Sequence, residues 1–191
     1  LLVGEIERAE EEDSMRTPIL HTERLDLRPF TVEDAQDVFE CWESDPDVAK
    51  YMFWTSHNDI EKTKEWIVFE LGQIEKDDWY RFALVLKGTK ELIGTALIYY
   101  EEEVQSWEIG YNLGKKYWGK GYATELGRQM IKEAFATTSI KGIYGMAQQG
   151  NAASKRVLEK IGMDYLGNQV FRDCEDAFYY IPNLRFEDVK E

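Results

Sequence analysis

The sequence predicts an α+β domain built on one mixed sheet, and three observations carry that prediction. Trp79–Leu86 and Leu92–Tyr100 are apolar, strand-like runs joined through Lys87-Gly-Thr-Lys90, the signature of an antiparallel hairpin. Ser106–Leu113, a helix opening near Gly121, and Ile140–Met146 form a strand–helix–strand unit of the length expected for a right-handed parallel crossover. Segments with helical apolar spacing fall between the strands, each with one face to bury on a sheet.

In chain order, Leu20, Leu25 and Leu27 against Thr22, Arg24, Asp26 and Arg28 predict a first strand over Ile19–Arg28, closed by Pro29. Thr31 and Asp34 have the form of a capping box, opening a helix through Val38 and Trp42 that stops before Pro46. Asn58 and Glu61 repeat the signal for a second helix, with Ile60, Ile67, Leu71 and Ile74 on its apolar face. Between them lies an aromatic-rich loop, Val48–Ser56, with Tyr51, Phe53 and Trp54; it either packs beneath the helices or lines a substrate pocket. After the hairpin, Glu101–Glu103 mark a turn. The helix from Gly121 sets Tyr122, Leu126, Met130 and Ala134 against Glu125, Arg128, Lys132 and Glu133, so it belongs on the sheet. A shorter helix follows, with Asn151 as N-cap, Val157, Leu158 and Ile161 as its stripe, and Gly162 as its stop. Asp164–Phe171 and Ala177–Leu184 predict a last hairpin turning at Asp173–Asp176.

The chain of 191 residues suits one domain, and 43% hydrophobic content argues against disorder. A formal charge of -14 disfavours a nucleic-acid partner, because no basic excess exists to displace counterions; a cationic substrate suits it better. Cys41 and Cys174 are too few for a disulfide framework and too far apart in sequence for a metal knuckle, so both are expected to be buried or half-buried thiols, with no metal site. No apolar run spans a bilayer and the start is acidic, which predicts a cytoplasmic protein with no membrane partner. Residues 1–14 hold six acids against Arg8 alone and are expected to be a flexible acidic extension, with the domain running over 15–191. The sequence does not choose between a monomer and a homodimer.

Gly119 and Gly121 stand where a strand hands over to a helix. The first N–H groups of a helix lack internal partners and carry the positive end of its dipole, while glycine lets a phosphate approach the backbone closely. That junction predicts an anion site for a phosphorylated cofactor. Two nucleotide readings fit poorly. A P-loop needs a hydroxyl where Gly121 stands, and a dinucleotide fingerprint needs a glycine at Thr124 and an acid near Lys141. A helix start with no ligand is the plain alternative. Asn151 and Ser154 open the next helix beyond a strand parallel to the first, where they can face the same crevice.

Together the two motifs resemble those of the GNAT superfamily of N-acetyltransferases, in particular the ribosomal-protein N-terminal acetyltransferases. The pattern R/Q-x-x-G-x-G/A falls on Trp118-Gly-Lys-Gly121-Tyr-Ala123, with Trp118 replacing the Arg or Gln, and Asn-x-x-Ser falls on Asn151–Ser154. Thr22-Glu-Arg-Leu-Asp-Leu-Arg-Pro29 is similar to the opening of that branch, so the resemblance covers roughly Ile19–Leu184. It implies a three-layer α/β/α arrangement around a mostly antiparallel sheet, in which Ser106–Leu113 and Ile140–Met146 are a central parallel pair that splays apart. It implies acetyl-CoA as co-substrate, with pantetheine along Tyr111, Asn112 and Leu113. The pyrophosphate would lie on the loop and helix start formed by Trp118, Gly119, Lys120, Gly121, Tyr122, Ala123 and Thr124. Asn151 would hold the pantetheine arm, a role that competes with capping.

The implied reaction is direct attack of an amine on a thioester within a ternary complex. Glu108 resembles the strand-borne glutamate that some members use as base; the alternative is an ordinary solvated strand residue. The oxyanion would meet a backbone N–H near Tyr111. Where many relatives carry a tyrosine on the second motif's helix, this chain has Leu158, which leaves Ser154 to hydrogen-bond the sulfur or to serve only the helix. The acceptor implied is a protein N-terminal α-amine such as that of a ribosomal protein. A polyamine or other small amine is the alternative substrate, and a CoA sensor without turnover the alternative class. Two acidic tips, Glu101–Glu103 and Asp173–Asp176, are expected at the sheet end opposite the cofactor, where they would attract a cationic acceptor.

Overall fold

The computed structural model describes residues 17–171 and 174–183. The acidic extension, Asp173 at the last turn, and Leu184 lie outside the described residues. Among the described residues, eight strands form one sheet: β1 (Leu20–His21), β2 (Leu25–Arg28), β3 (Trp79–Leu86), β4 (Leu92–Glu101), β5 (Ser106–Leu113), β6 (Gly142–Gln148), β7 (Asp164–Phe171) and β8 (Cys174–Pro182). Their order is β1-β2-β3-β4-β5-β6-β8-β7, antiparallel throughout except for β5 and β6.

Helices cover both faces. On one lie α1 (Ala35–Val38), α2 (Pro46–Ala49) and α3 (Ile60–Leu71); on the other lie α4 (Tyr122–Thr137) and α5 (Ala152–Lys160). Strand β3 shows why its sequence is almost continuously apolar: Phe82 and Leu84 join the α4–α5 core, while Ala83 and Val85 join the α1–α3 core. This is the expected α/β/α layering around a mostly antiparallel mixed sheet.

The parallel pair diverges as expected. β5 and β6 are in register only from Trp107–Ile109 against Ile143–Gly145, yet β5 runs on to Leu113 beside β4 and β6 runs on to Gln148 beside β8. From Gly110 onward the two inner edges have no strand between them.

Several local expectations are corrected. Ile19–Arg28 is not one strand but a tight pair, because Thr22 turns the chain: its N–H donates to Leu25 O and its Oγ1 accepts from Leu25 N, both at 2.9 Å. The first helix is three turn types in succession, with a 3-10 turn at Val32–Asp34 before α1 and a π turn at Phe39–Glu43 after it. Asp59, not Asn58, caps α3, accepting from Glu61 N at 3.1 Å, and Ile74 falls beyond the helix. β8 begins at Cys174, three residues before the expected Ala177, so Asp176 belongs to a strand. Cys174 is also exposed rather than buried.

Candidate active site

The strand-to-helix junction has the geometry of an anion cradle. Gly119 (φ 72°) and Gly121 (φ 84°) take left-handed conformations that residues with a Cβ rarely adopt, and a Cβ on Gly119 would meet only open space. Gly121 is the N-cap of α4 and offers no side chain to its first turn. The N–H groups of Tyr122, Ala123 and Thr124 are therefore left to a ligand or solvent.

Arg24 holds this loop in place, a role that no local pattern in the sequence indicates. From the β1–β2 turn its backbone N–H and Nε donate to Glu125 at 2.8 and 2.6 Å, and Nη1 donates to Lys120 O at 2.9 Å. Its guanidinium also lies 4.4 Å from the centre of the Tyr122 ring.

β5 supplies the second wall. Gly114 N–H donates to Ile93 O at 2.9 Å, so by alternation Gly110 and Asn112 bond toward β4 while Tyr111 and Leu113 turn their backbone groups into the splay. Leu113 O is already taken by the Trp118 indole N–H at 2.7 Å. Tyr111 N–H and C=O, and Leu113 N–H, form the open edge. Trp118 thus braces the loop against β5 and also borders the groove.

A groove of about 330 Å³ is bordered by Tyr111, Asn112, Leu113, Trp118, Gly119, Gly121–Thr124, Asn151 and Ser154. Lys120 is not part of its lining: the Lys120 carbonyl is held by Arg24 and its Nζ lies over the Tyr117 ring at 5.6 Å. Asn151 caps α5 through Oδ1, accepting from Ser154 N at 3.1 Å. The cap does not use the amide nitrogen, so capping and ligand contact do not compete.

On the opposite face of the sheet lies a cavity of about 650 Å³, which includes Glu108, Tyr99, Glu101–Glu103, Gln148 and Asp176. It shares Tyr51, Met52, Tyr111, Asn112, Asn151 and Ser154 with the groove, so the two spaces meet at the splay. The aromatic loop serves both expectations: Val48 is buried in the α1–α3 core, whereas Tyr51 and Met52 line the junction. Glu108 is only 7% exposed, which corrects the solvated-strand alternative. It accepts from Tyr99 Oη at 2.7 Å, its cross-strand neighbour.

On the groove side, Ser154 Oγ lies 3.0 Å from Tyr111 Oη. Sequence reasoning assigned Tyr111 only a backbone role, and nothing in strand periodicity indicates that its hydroxyl reaches the next helix. Burial pushes the Tyr111 phenol up to about 12, with the Ser154 contact pulling weakly the other way. It is a neutral donor at pH 7. Leu158, where a tyrosine was absent, is buried in the core.

The two acidic tips do not share one end of the sheet. Glu101–Glu103 lie at the start of β5, but the antiparallel pairing of β8 with β6 carries Asp176 to Gln148, at the splayed end. Asp176 is 1% exposed, and neither carboxylate oxygen has a hydrogen-bond partner. Burial raises its pKa above the usual aspartate value. Among the described residues no cluster of metal-binding side chains occurs, and no helix is long and apolar enough to cross a membrane.

Comparison with known proteins gives a consistent answer. The Bacillus licheniformis protein named "Uncharacterized N-acetyltransferase p20" is 33% identical over 83% of this chain and 88% of its own. A GNAT-family acetyltransferase structure from Bacillus anthracis superposes with a TM-score of 0.76 and 28% identity, covering 87% of this chain and 99% of that one. The fold is shared at 14% identity and TM-score 0.74 by RimL, a ribosomal L7/L12 α-N-protein acetyltransferase in complex with coenzyme A, over 87% of this chain and 97% of that one. The model of the family described as "Acetyltransferase (GNAT) domain" matches residues 24–164, across both the loop and the groove, and the chain belongs to that family of N-acetyltransferases.

Proposed function

We propose that the chain moves the acetyl group of acetyl-CoA directly to a primary amine held on the Glu108 side of the sheet. The observation that carries the reading is the meeting of two spaces at Tyr111, through the gap between β5 and β6. A groove with backbone donors opens on one side of that gap, and an acid-lined cavity on the other.

The groove fits the co-substrate. The N–H groups of Tyr122–Thr124 suit a pyrophosphate, and the open Tyr111 C=O and Leu113 N–H suit the amides of pantetheine. When bound, acetyl-CoA supplies an acyl group already activated as a thioester. Glu108 takes the proton that the attacking nitrogen loses, directly or through a water. Tyr111 N–H donates to the carbonyl oxygen as it gains charge. The Tyr111–Ser154 hydroxyl pair donates to the departing sulfur. Full proton transfer from a phenol near 12 to a thiolate near 8.5 runs about three units uphill, so the pair stabilises the thiolate by hydrogen bonding.

The acceptor is a cationic primary amine, and the α-amine of a basic protein N-terminus, as in the ribosomal-protein branch, is the reading retained. An α-amine with pKa about 7.7–8.0 is neutral in roughly one molecule in six to eleven at pH 7, while a lysine-like amine near 10.4 is neutral in roughly one in a few thousand. A polyamine is the second reading, favoured by the buried, unpaired Asp176. Thiol release from acetyl-CoA across N-terminal peptides, polyamines and amino acids tests the proposal. Turnover with at least one basic amine is expected, and no turnover with any of them overturns it.

A further inference from the structure

The geometry points to a second charged contact: we infer that the acceptor carries an ammonium group besides the reacting amine, and that Asp176 receives it. The inference rests on the reading that the Glu108 cavity holds the acceptor, and it specifies what kind of amine that cavity selects.

Register places the two acids on one face. Glu108 is level with Tyr144 across the parallel pair, and Tyr144, Met146 and Gln148 alternate along that same face of β6. Asp176 lies opposite Gln148 on β8, so its side chain points to the cavity that Glu108 also lines. Asp176 is four residues farther along the strands than Glu108, about 13 Å of rise, on the far side of the splay. The reacting centre near Tyr111 falls between them.

The chemistry of Asp176 distinguishes it from a merely acidic surface. It is 1% exposed and both oxygens lack hydrogen bonds, whereas Glu108 is held by Tyr99. A buried polar group left unpaired is costly, and a native site that keeps one needs a reason. Arg81, a cation in the same cavity, is committed elsewhere: it pairs with Glu70 at 3.1 Å and sits against Trp66 and Trp79. A cation from the acceptor would supply the missing partner.

The test is calorimetric titration of the protein saturated with CoA, using α,ω-diaminoalkanes of about three to ten carbons and n-alkylamines of matched length. Tripeptides with lysine or norleucine in second position form the other arm. In the wild type, diamines or lysine peptides bind at least about tenfold more tightly than their matched controls, and D176N brings each pair to within about twofold. Preference in the diamine arm assigns the second charge to a small polyamine, and preference confined to the peptides assigns it to a lysine side chain; either supports the contact. Equal binding of charged and control ligands by the wild type overturns it, as does a preference that survives in D176N. The wild-type comparison decides even if D176N fails to fold. A preference without thiol release from acetyl-CoA would sink the transfer reaction and keep the contact, while thiol release with no preference would do the reverse.

Discussion

Glu108 and Tyr111 stand three residues apart on β5, so their side chains serve opposite faces of the sheet, and this alternation lets one strand line both the groove and the cavity. Replacing Glu108 with Gln keeps the hydrogen bond to Tyr99 possible but removes the proton acceptor. A fall in kcat of about 10²–10⁴-fold is expected, with the affinity for acetyl-CoA within about twofold in calorimetry. A non-catalytic CoA sensor would have no rate to lose. Because Tyr111 and Ser154 act as one hydrogen-bonded unit, Y111F, S154A and the double variant should each lower kcat by a similar factor of about ten. Additive losses in steady-state kinetics would separate the two roles. Asp176 gives a pH test with a defined sign. Its folded pKa is raised, so the folded state holds that proton more tightly, and stability declines as pH rises from the unfolded value through the folded one. D176N removes the penalty and should melt higher than the wild type at pH 7, by about 2–4 °C for each kcal/mol relieved, with the two converging at acid pH. Glu108 was legible as a candidate base because a resemblance pointed to it. Asp176 was not, since Asp173, Cys174, Glu175 and Asp176 have turn composition, and only the pairing with β6 makes the last of them a buried strand residue.

At the level of the elements, the loop between β5 and α4 acts as one piece with the β1–β2 turn. Arg24 is what joins them, through Glu125, Lys120 and Tyr122. R24Q loses the charge-assisted bonds and leaves Glu125 without its cation, so the KM for acetyl-CoA should rise about tenfold while kcat changes less. G121A places a Cβ in a left-handed conformation at a strain of about 1–2 kcal/mol. Calorimetry should show weakened acetyl-CoA binding in G121A well beyond any loss of stability. The glycine motif, the α4 face and the α5 cap were readable from the sequence, because each follows from local backbone rules. The split of the first strand and the shift of the α3 cap to Asp59 turn on a few local hydrogen bonds at Thr22 and Asp59, which neighbouring residue types mimic equally well. Arg24 could not be read at all, since its partners lie about a hundred residues away.

For the whole molecule, the sheet decides what the helices can do. β5 and β6 part after three paired residues, and that early divergence creates the gap through which the groove and the Glu108 cavity meet. Sequence patterns indicated the parallel crossover and the resemblance indicated the three layers, but neither locates where the two strands separate, since each strand's pairing with its outer neighbour, β5 with β4 and β6 with β8, is non-local. The formal charge of -14 is distributed partly around the acceptor cavity, where Glu102 and Glu103 are exposed. Neutralising both to Gln should raise the KM for basic acceptors and flatten its dependence on salt, leaving the KM for acetyl-CoA unchanged. The claim on which the rest depends is that acetyl-CoA lies in the splay, and residue-resolved amide hydrogen exchange with and without acetyl-CoA tests it most directly. Slowed exchange is expected at Tyr111, Leu113 and Tyr122–Thr124, the donors that face the groove. Unchanged exchange at those amides under saturating acetyl-CoA, or slowing confined to another part of the sheet, would contradict it.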